Sequence, residues 1–329
     1  MIGWYVHDHG AGHLQRLSCI VAHLRTPVTA LSTLVRPDGF TGGWVELPSD
    51  RPTGRDVDPT AGGTLHWAPR HHPGLRARMA AVAAWVAAAQ PALVVVDVSV
   101  EVTVLLRTMG VPVVVTAMRG DRTDRAHSTA YDAAQALLAP WPAALAEPWP
   151  AHWLDKTWHV GALSRLDGRT PTRAPGDRRV AVLWGRGGGT VGAQELAAAA
   201  AGSPGWSWAA AGLPGAGWLD DPWPWLQAAD VVVTHAGQNA LAEVAAARRP
   251  AVVVPQPRPH GEQLANAAAL ARGGLALVRS SWPTGEQWAD LLEEAAARDP
   301  HAWQRWSDGR GAQRAAGLLD DAASRWAAA

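Results

Sequence analysis

Residues 229–269 limit what this chain can fold into more than any other stretch. They open with a β-branched apolar run, residues 231–233, bounded by Asp230 and Thr234. A glycine-containing turn follows, His235-Ala236-Gly237-Gln238-Asn239, and then an alanine-rich helical segment over about 240–247. Arg248-Arg249-Pro250 ends that helix, and residues 252–254 form a second apolar run before a proline-rich loop. Short runs apolar on both faces, separated by a helix, specify a βαβ unit in a buried parallel sheet. Ligands of such sheets sit beyond the carboxyl ends of the strands. The chain places His235, Gly237, Asn239, Pro255 and the pair Glu262-Gln263 there.

The chemistry of that turn suits a diphosphate. A helix starting near Gln238 aims free N–H groups and the positive end of its dipole at an anion. His235 and Asn239 are donors for phosphate oxygens, and Gly237 lets the backbone approach closely. Glu243 lies one helical turn beyond Asn239 on the same face, where a carboxylate can accept both ribose hydroxyls. Taken singly, these residues read equally well as a strand cap, a helix cap and a solvated helix residue.

Their order is informative. His235, Gly237, Asn239, Glu243, Pro255, Glu262, Gln263 and Asn266 together resemble the donor-binding signature of UDP-sugar glycosyltransferases of the GT-B fold. The signature is similar to that of the secondary-product glycosyltransferases and of the GlcNAc transferase that makes lipid II. The resemblance implies that His235 and Asn239 meet the diphosphate, Glu243 the ribose, and Glu262 and Gln263 the sugar, with Gln238 also in the donor site. The serine or threonine that usually follows the Asn is Ala240 here, which removes one expected phosphate contact.

Earlier in the chain, residues 2–6 read as a strand feeding a glycine-rich turn and a helix to about Leu24. Gly10-x-Gly12-His13-x-x-Arg16 in that turn resembles the amino-terminal loop of the same glycosyltransferases. His13 is accordingly the expected general base for an acceptor hydroxyl, since imidazole titrates near working pH. Asp97, at the end of the apolar run 92–96, is its expected orienting partner, or else the cap of the helix over 98–109. Gly12 and Arg119, the latter in the polar loop 118–122, are acceptor-side candidates. Residues 36–73 read as loops around one or two strands, with apolar runs at 44–47 and 64–67. The next domain opens with a strand over 179–184 and a run of glycines. Gly187, Gly188, Gly189 and Thr190 offer backbone N–H groups to a charged ligand. By resemblance Trp218 and Leu219 hold the uracil ring, Trp218 by stacking.

The expected fold is therefore α/β: two Rossmann-like, doubly wound domains facing across a cleft, the GT-B arrangement. Residues 1–163 form the acceptor domain, 164–177 a linker, and 178–329 the donor domain. A last helix from about Gly311 crosses back, with Trp303, Trp306 and Trp326 as its docking face. The expected activity is transfer of a sugar from a nucleotide diphosphate, UDP-linked as the resemblance implies, to an acceptor hydroxyl. The alternatives are a nucleotide-sugar epimerase of the same fold and a non-catalytic nucleotide-sugar-binding protein. Epimerases place acidic and serine residues where this chain has His235 to Asn239. No Asp-x-Asp motif ends a strand, so no metal and no cofactor are expected beyond the nucleotide sugar.

Composition narrows the partners. Basic and acidic side chains balance at 29 each, which argues against nucleic acid. Cys19 is the only cysteine, so no intrachain disulfide forms, in keeping with the cytoplasm. The first residues lack a secretory leader's basic region, and no apolar run spans a membrane. Heavy use of Arg, Ala and Trp beside a single lysine, Lys156, reads as bacterial coding bias. The segment 75–89, with Leu75, Met79, Val82, Trp85 and Val86 at helical spacing near Arg70, Arg76 and Arg78, could rest on a membrane surface. Packing on the sheet is the commoner use of such a helix.

Overall fold

The computed structural model describes residues 1–8, 12–172, 174–185 and 191–327. Seven parallel strands make the first sheet: β1 (Ile2–Val6), β2 (Val28–Ser32), β3 (Gly43–Glu46), β4 (Leu93–Asp97), β5 (Val113–Thr116), β6 (Ala136–Ala139) and β7 (Thr157–His159). Helices α1 (Gly12–Val21), α2 (Pro73–Ala89), α3 (Val100–Thr108), α4 (Arg125–Ala133) and α5 (Ala151–Leu154) accompany it. The strand order is β3-β2-β1-β4-β5-β6-β7, so the winding direction reverses between β1 and β4. Val6 pairs with Asp97 at that reversal.

The second sheet contains β8 (Arg179–Leu183), β9 (Ser207–Ala211), β10 (Val231–Thr234), β11 (Ala251–Val253) and β12 (Leu277–Val278). Its helices are α6 (Ala193–Ala201), α7 (Trp223–Gln227), α8 (Gln238–Ala247), α9 (Glu262–Arg272) and α10 (Trp288–Ala296), and α11 (Gly311–Trp326) ends the described chain. All its strands are parallel in the order β12-β11-β10-β8-β9, with the reversal between β8 and β10. Crevices at such reversals open beyond the strands' carboxyl ends. The turns after β1, β4, β8 and β10 thus border the two crevices.

Although it follows the second sheet in sequence, α11 packs on the first. Ala312, Ala315, Ala316 and Leu319 share a buried cluster with Ile2, Trp4, Leu17 and Ile20. Asp320 accepts the backbone N–H groups of Arg25 (3.1 Å) and Thr26 (2.9 Å), and Trp326 stacks on Trp158. The docking face is small-residue packing with a single tryptophan. Trp303 and Trp306 are buried in the core of the second sheet instead, where Trp303 Nε1 donates to Arg249 O at 2.7 Å.

Two further expectations narrow. Residues 36–73 hold one strand, β3; the run 64–67 is a loop whose His66 and Trp67 N–H groups are taken by the Glu101 carboxylate (2.8 and 2.9 Å). The apolar side of α2 is turned inward, with Val82 and Val86 in the core. Arg78 is buried there too, donating to Tyr5 Oη and Pro48 O. That leaves α2 without the apolar face that a membrane surface needs. No described helix is long and apolar enough to cross a membrane.

Candidate functional site

At the first reversal, β1 runs into the loop before α1, and β4 ends at Asp97. The Asp97 side chain is wholly buried, and its Oδ1 receives Arg16 Nη1 and lies 3.1 Å from His13 Nδ1. The His13 contact is off the line of a good hydrogen bond, and Asp97 Oδ2 has no partner among the described residues. Burial works to raise the Asp97 carboxyl, but the charges of Arg16 and His13 overcome it and bring it down to about 2. Asp97 is not the cap of α3, because Ser99 Oγ accepts from Val102 N at 3.2 Å. Val98 between them has φ +61°, a strained backbone for a β-branched residue, and it turns the chain between carboxylate and cap.

At the second reversal, Gly237 caps α8 without a side-chain hydrogen bond to the first-turn amides. His235 Nδ1 accepts from Gly237 N at 2.8 Å. A Cβ on Gly237 would lie 2.2 Å from His235 Cε1, and one on Gly185 would lie 2.7 Å from His235 Nε2. Only glycines let the β8 and β10 turns close on this ring. Burial and Arg258 push the His235 imidazole down to about 4, against an opposing bond with the Gln263 side chain. His235 is therefore neutral near pH 7, and with Nδ1 accepting, its proton sits on Nε2.

Gln263 is largely spent on the fold. Its Oε1 accepts from Ala236 N (3.2 Å) and Gln256 N (2.8 Å), while Asn266 Nδ2 donates to Ala236 O at 2.9 Å. These bonds pin the His235 turn onto α9. Glu243, buried on α8, receives Arg165 Nε at 2.8 Å, and Arg165 also holds Asp220 O. Burial raises the Glu243 carboxyl while Arg165 lowers it, with a net rise. Trp218 is 44% exposed, next to Leu219 in the loop after β9. Gly187, Gly188, Gly189 and Thr190 lie outside the described residues.

The two half-sites touch. Arg16 Nη2 donates to Gln238 Oε1 at 2.7 Å, and Asn239 Nδ2 to Gln15 Oε1 at 3.2 Å. Gly12 stands 3.4 Å from Asn239 Nδ2, measured from where its Cβ would be. Beside this seam is a cavity of about 390 Å³ lined by His13, Val100, Thr116, Met118, Tyr131 and Glu262 among others. Glu262 is pushed up by burial and held down by Arg122, Arg16 and His13, with a net rise. A larger cleft, about 790 Å³, lies near residues 171–178 and contains none of these groups.

Arg119 does not reach the cavity. It is 1% exposed, paired with Glu147, bonded to Leu145 O and set over the rings of Trp141 and Trp306. Three residues on, Arg122 lines the cavity in its place, with Nη1 3.0 Å from His127 Nε2.

Residues 219–295 match the glycosyltransferase family 28 C-terminal domain. An uncharacterized glycosyltransferase of Methanopyrus kandleri is 35% identical over 99 residues, 29% of this chain and 27% of that protein. The UDP-N-acetylglucosamine–N-acetylmuramyl-(pentapeptide) pyrophosphoryl-undecaprenol N-acetylglucosamine transferase of Solibacter usitatus is 34% identical over 101 residues, 29% of this chain and 28% of that one. The match thus spans less than a third of these curated relatives. Among solved structures, MurG of Acinetobacter baumannii has a TM-score of 0.65 at 16% identity, covering 97% of this chain and 99% of its own. The glycosyltransferase SnogD of Streptomyces nogalater gives 0.66 at 15% identity, covering 98% and 99%. The fold is GT-B.

Within this GT-B fold, the matched segment carries Leu219, His235, Gly237, Gln238, Asn239, Glu243, Glu262 and Gln263, with Trp218 just before it. His13, Asp97, Gln238, Asn239 and Glu262 converge on the seam. Sequence reasoning missed three participants. Arg16 was legible as part of the amino-terminal motif but not as a bridge to Gln238. Arg165 lay in a stretch of linker composition, and Arg122 was one of several basic residues in a polar loop.

Proposed function

We propose that this chain transfers a sugar from a nucleotide diphosphate, UDP foremost, to an acceptor hydroxyl. The observation that carries the reading is the apposition of a His13–Asp97 pair and the uncapped start of α8, joined by Arg16–Gln238. The diphosphate would meet the α8 amides, Asn239 and the Nε2–H of His235, donors that stabilise the leaving group as its charge grows. Glu243 Oε2, Trp218 and Leu219 would take the nucleoside, and Glu262 the sugar. The acceptor would lie in the 390 Å³ cavity with its hydroxyl at His13 Nε2.

Those donors leave no task for a cation at the diphosphate. Adding Mg²⁺ to metal-stripped enzyme should leave kcat unchanged. The curated relatives are named as glycosyltransferases, one using UDP-N-acetylglucosamine, which supports that donor as the first to try. The single thiol, Cys19, suits a reducing compartment, and the cytoplasm is the proposed place of action.

The test is a thermal-shift panel of nucleotide sugars, followed by an acceptor screen with the stabilising donor. Transfer to a hydroxyl acceptor is the expected result. Formation of an epimer without acceptor, or binding that never leads to turnover with any acceptor, would overturn the reading.

A further inference from the structure

The cavity that His13 lines is also lined by three more imidazoles, from three separated segments. His66 belongs to the loop before α2, His127 to the first turn of α4, and His260 to the loop between β11 and α9. Each offers one ring nitrogen within 4.8 Å of the other two. The rings of His66 and His127 are 4.3 Å apart, those of His127 and His260 4.6 Å. Asp124, the cap of α4, sits among them. One of its oxygens is 3.5 Å from His66 Nε2, and the other contacts His127 Nδ1 and lies 3.7 Å from His260 Nδ1. We infer that His66, His127 and His260, with Asp124, bind one divalent transition-metal ion, zinc foremost, and so fasten the two halves of the molecule together.

Three observations favour a metal site over a patch of hydrogen-bonded histidines. First, His66 Nε2 is a buried nitrogen with no hydrogen-bond partner among the described residues, and it lies 3.5 Å from Asp124 beside the other two rings. Second, His260 is presented by backbone that cannot easily move. Its φ is +58°, its carbonyl accepts from Asp121 N at 2.8 Å, and a Cβ on Gly120 would come within 2.2 Å of that same oxygen. Two loops from opposite halves are thus locked back to back directly beside the cluster. Third, the donor set is three imidazoles and one carboxylate. Nitrogen-rich sets of this kind select Zn²⁺, Cu²⁺ or Ni²⁺, whereas Mg²⁺ and Ca²⁺ prefer oxygen. Tetrahedral zinc with N ligands at about 2.0–2.1 Å needs ligand atoms about 3.3 Å apart. Small side-chain rotations close the present spacing to that value.

The charged groups facing the cluster are Asp124, Asp121, Arg122 and Arg258. Arg122 opposes binding, since its Nη1 lies 3.0 Å from His127 Nε2. When Nδ1 of His127 takes the metal, its proton moves to Nε2, which can then no longer accept from Arg122. The guanidinium keeps Met118 O and Arg119 O as partners when that contact breaks. The ligands line the cavity proposed for the acceptor, but the inference does not depend on sugar transfer, because metal binding is read without turnover.

The experiment is calorimetric titration of ZnCl₂ into the full chain after chelator treatment, on wild type, His66→Ala and His260→Asn. Asparagine tolerates the left-handed backbone at 260 and is a poor zinc ligand. One ion per chain at micromolar affinity or tighter is expected, weakened about 10- to 100-fold or more in each variant. Co²⁺ added to the wild type should give the intense visible absorption of a tetrahedral site, a readout that needs no variant. Zinc should also raise the wild-type unfolding temperature, as any ligand of the native state does. The inference is overturned if the wild type takes up no stoichiometric zinc and gives no tetrahedral Co²⁺ band. It is equally overturned if a variant that melts like wild type in chelator binds zinc as tightly.

Discussion

His13 and His235 are both imidazoles beside strand ends, yet their surroundings give them opposite roles. His13 turns Nδ1 toward Asp97, an ionised carboxylate 3.1 Å away, whose charge favours the tautomer with the proton on Nδ1 and the lone pair on Nε2. That is the form of a base. His235 uses Nδ1 to accept from Gly237 N, so it presents an N–H, the form of an anion-binding donor. His13→Ala should therefore lower kcat about 10²–10⁴-fold, or about 3–5 kcal/mol of transition-state stabilisation, with nucleotide affinity and melting temperature kept. Near-normal turnover on the true acceptor would make His13 structural. Asp97→Asn should give a smaller loss of the same kind. On the nucleoside side, Glu243→Ala should weaken UDP binding by about 1.5–3 kcal/mol in calorimetry, the range for hydrogen bonds to a charged group. Unchanged affinity would mean that Glu243 serves only to hold Arg165. At this scale the sequence identified residue types but not their partners. Arg119 and Arg122 looked alike in one polar loop and both are buried, but the Trp141–Trp306 slot and Glu147 hold Arg119 away from the cavity that Arg122 lines.

The element that sets the donor half-site is the turn from β10 into α8, and its geometry rests on Gly237. Its φ of −72° is open to any residue, so the requirement is space: an added Cβ would meet the His235 ring at 2.2 Å. Gly237→Ala should cost about 1–3 kcal/mol of stability, as forced insertion of a carbon usually does, and should weaken nucleotide binding by displacing the ring. A variant that binds UDP normally would remove His235 from the diphosphate site. Elements like β10 and α8 were legible because a buried parallel strand is an uninterrupted apolar run and its helix follows at once. Helix α4 was not, since its sequence RAHSTAYDA buries only Ala126, Ala130 and Tyr131, a face too short and too rich in alanine to stand out. The run 64–67 misled in the other direction. It is apolar enough for a strand, but the Glu101 carboxylate satisfies the amides that a neighbouring strand would have paired.

On the scale of the whole molecule, the chain crosses between its halves twice, at residues 160–178 and again where α11 returns to the first sheet. Asp167 lies where these crossings meet, close to Arg248, Asp308 and Arg314. Its Oδ2 accepts from Ser164 N at 3.0 Å, while Oδ1 is buried without a hydrogen-bond partner among the described residues. Burial raises this carboxyl to about 6, opposed by the Ser164 N–H and by Arg248. The folded protein therefore binds the proton more tightly than the unfolded chain, whose carboxyl titrates near 3.9. Its contribution to stability is fully present below about pH 4, is lost as pH rises through 6, and stays lost at pH 7. The whole shift corresponds to about 3 kcal/mol, but the group is only half-buried, and solvent screening reduces the expected cost to about 1–2 kcal/mol. Asp167→Asn keeps an acceptor for Ser164 N and removes the charge. It should raise the unfolding free energy at pH 7 by that amount, and the advantage should shrink steadily until the two proteins unfold alike near pH 4. Thermal or urea unfolding of both chains across pH 4–8 measures this directly. Parallel curves with no convergence would place the Asp167 charge in water, and the crossing would then owe its fixed geometry to α11 and Arg314, which donates to Val160 O at 2.6 Å, rather than to a buried carboxyl.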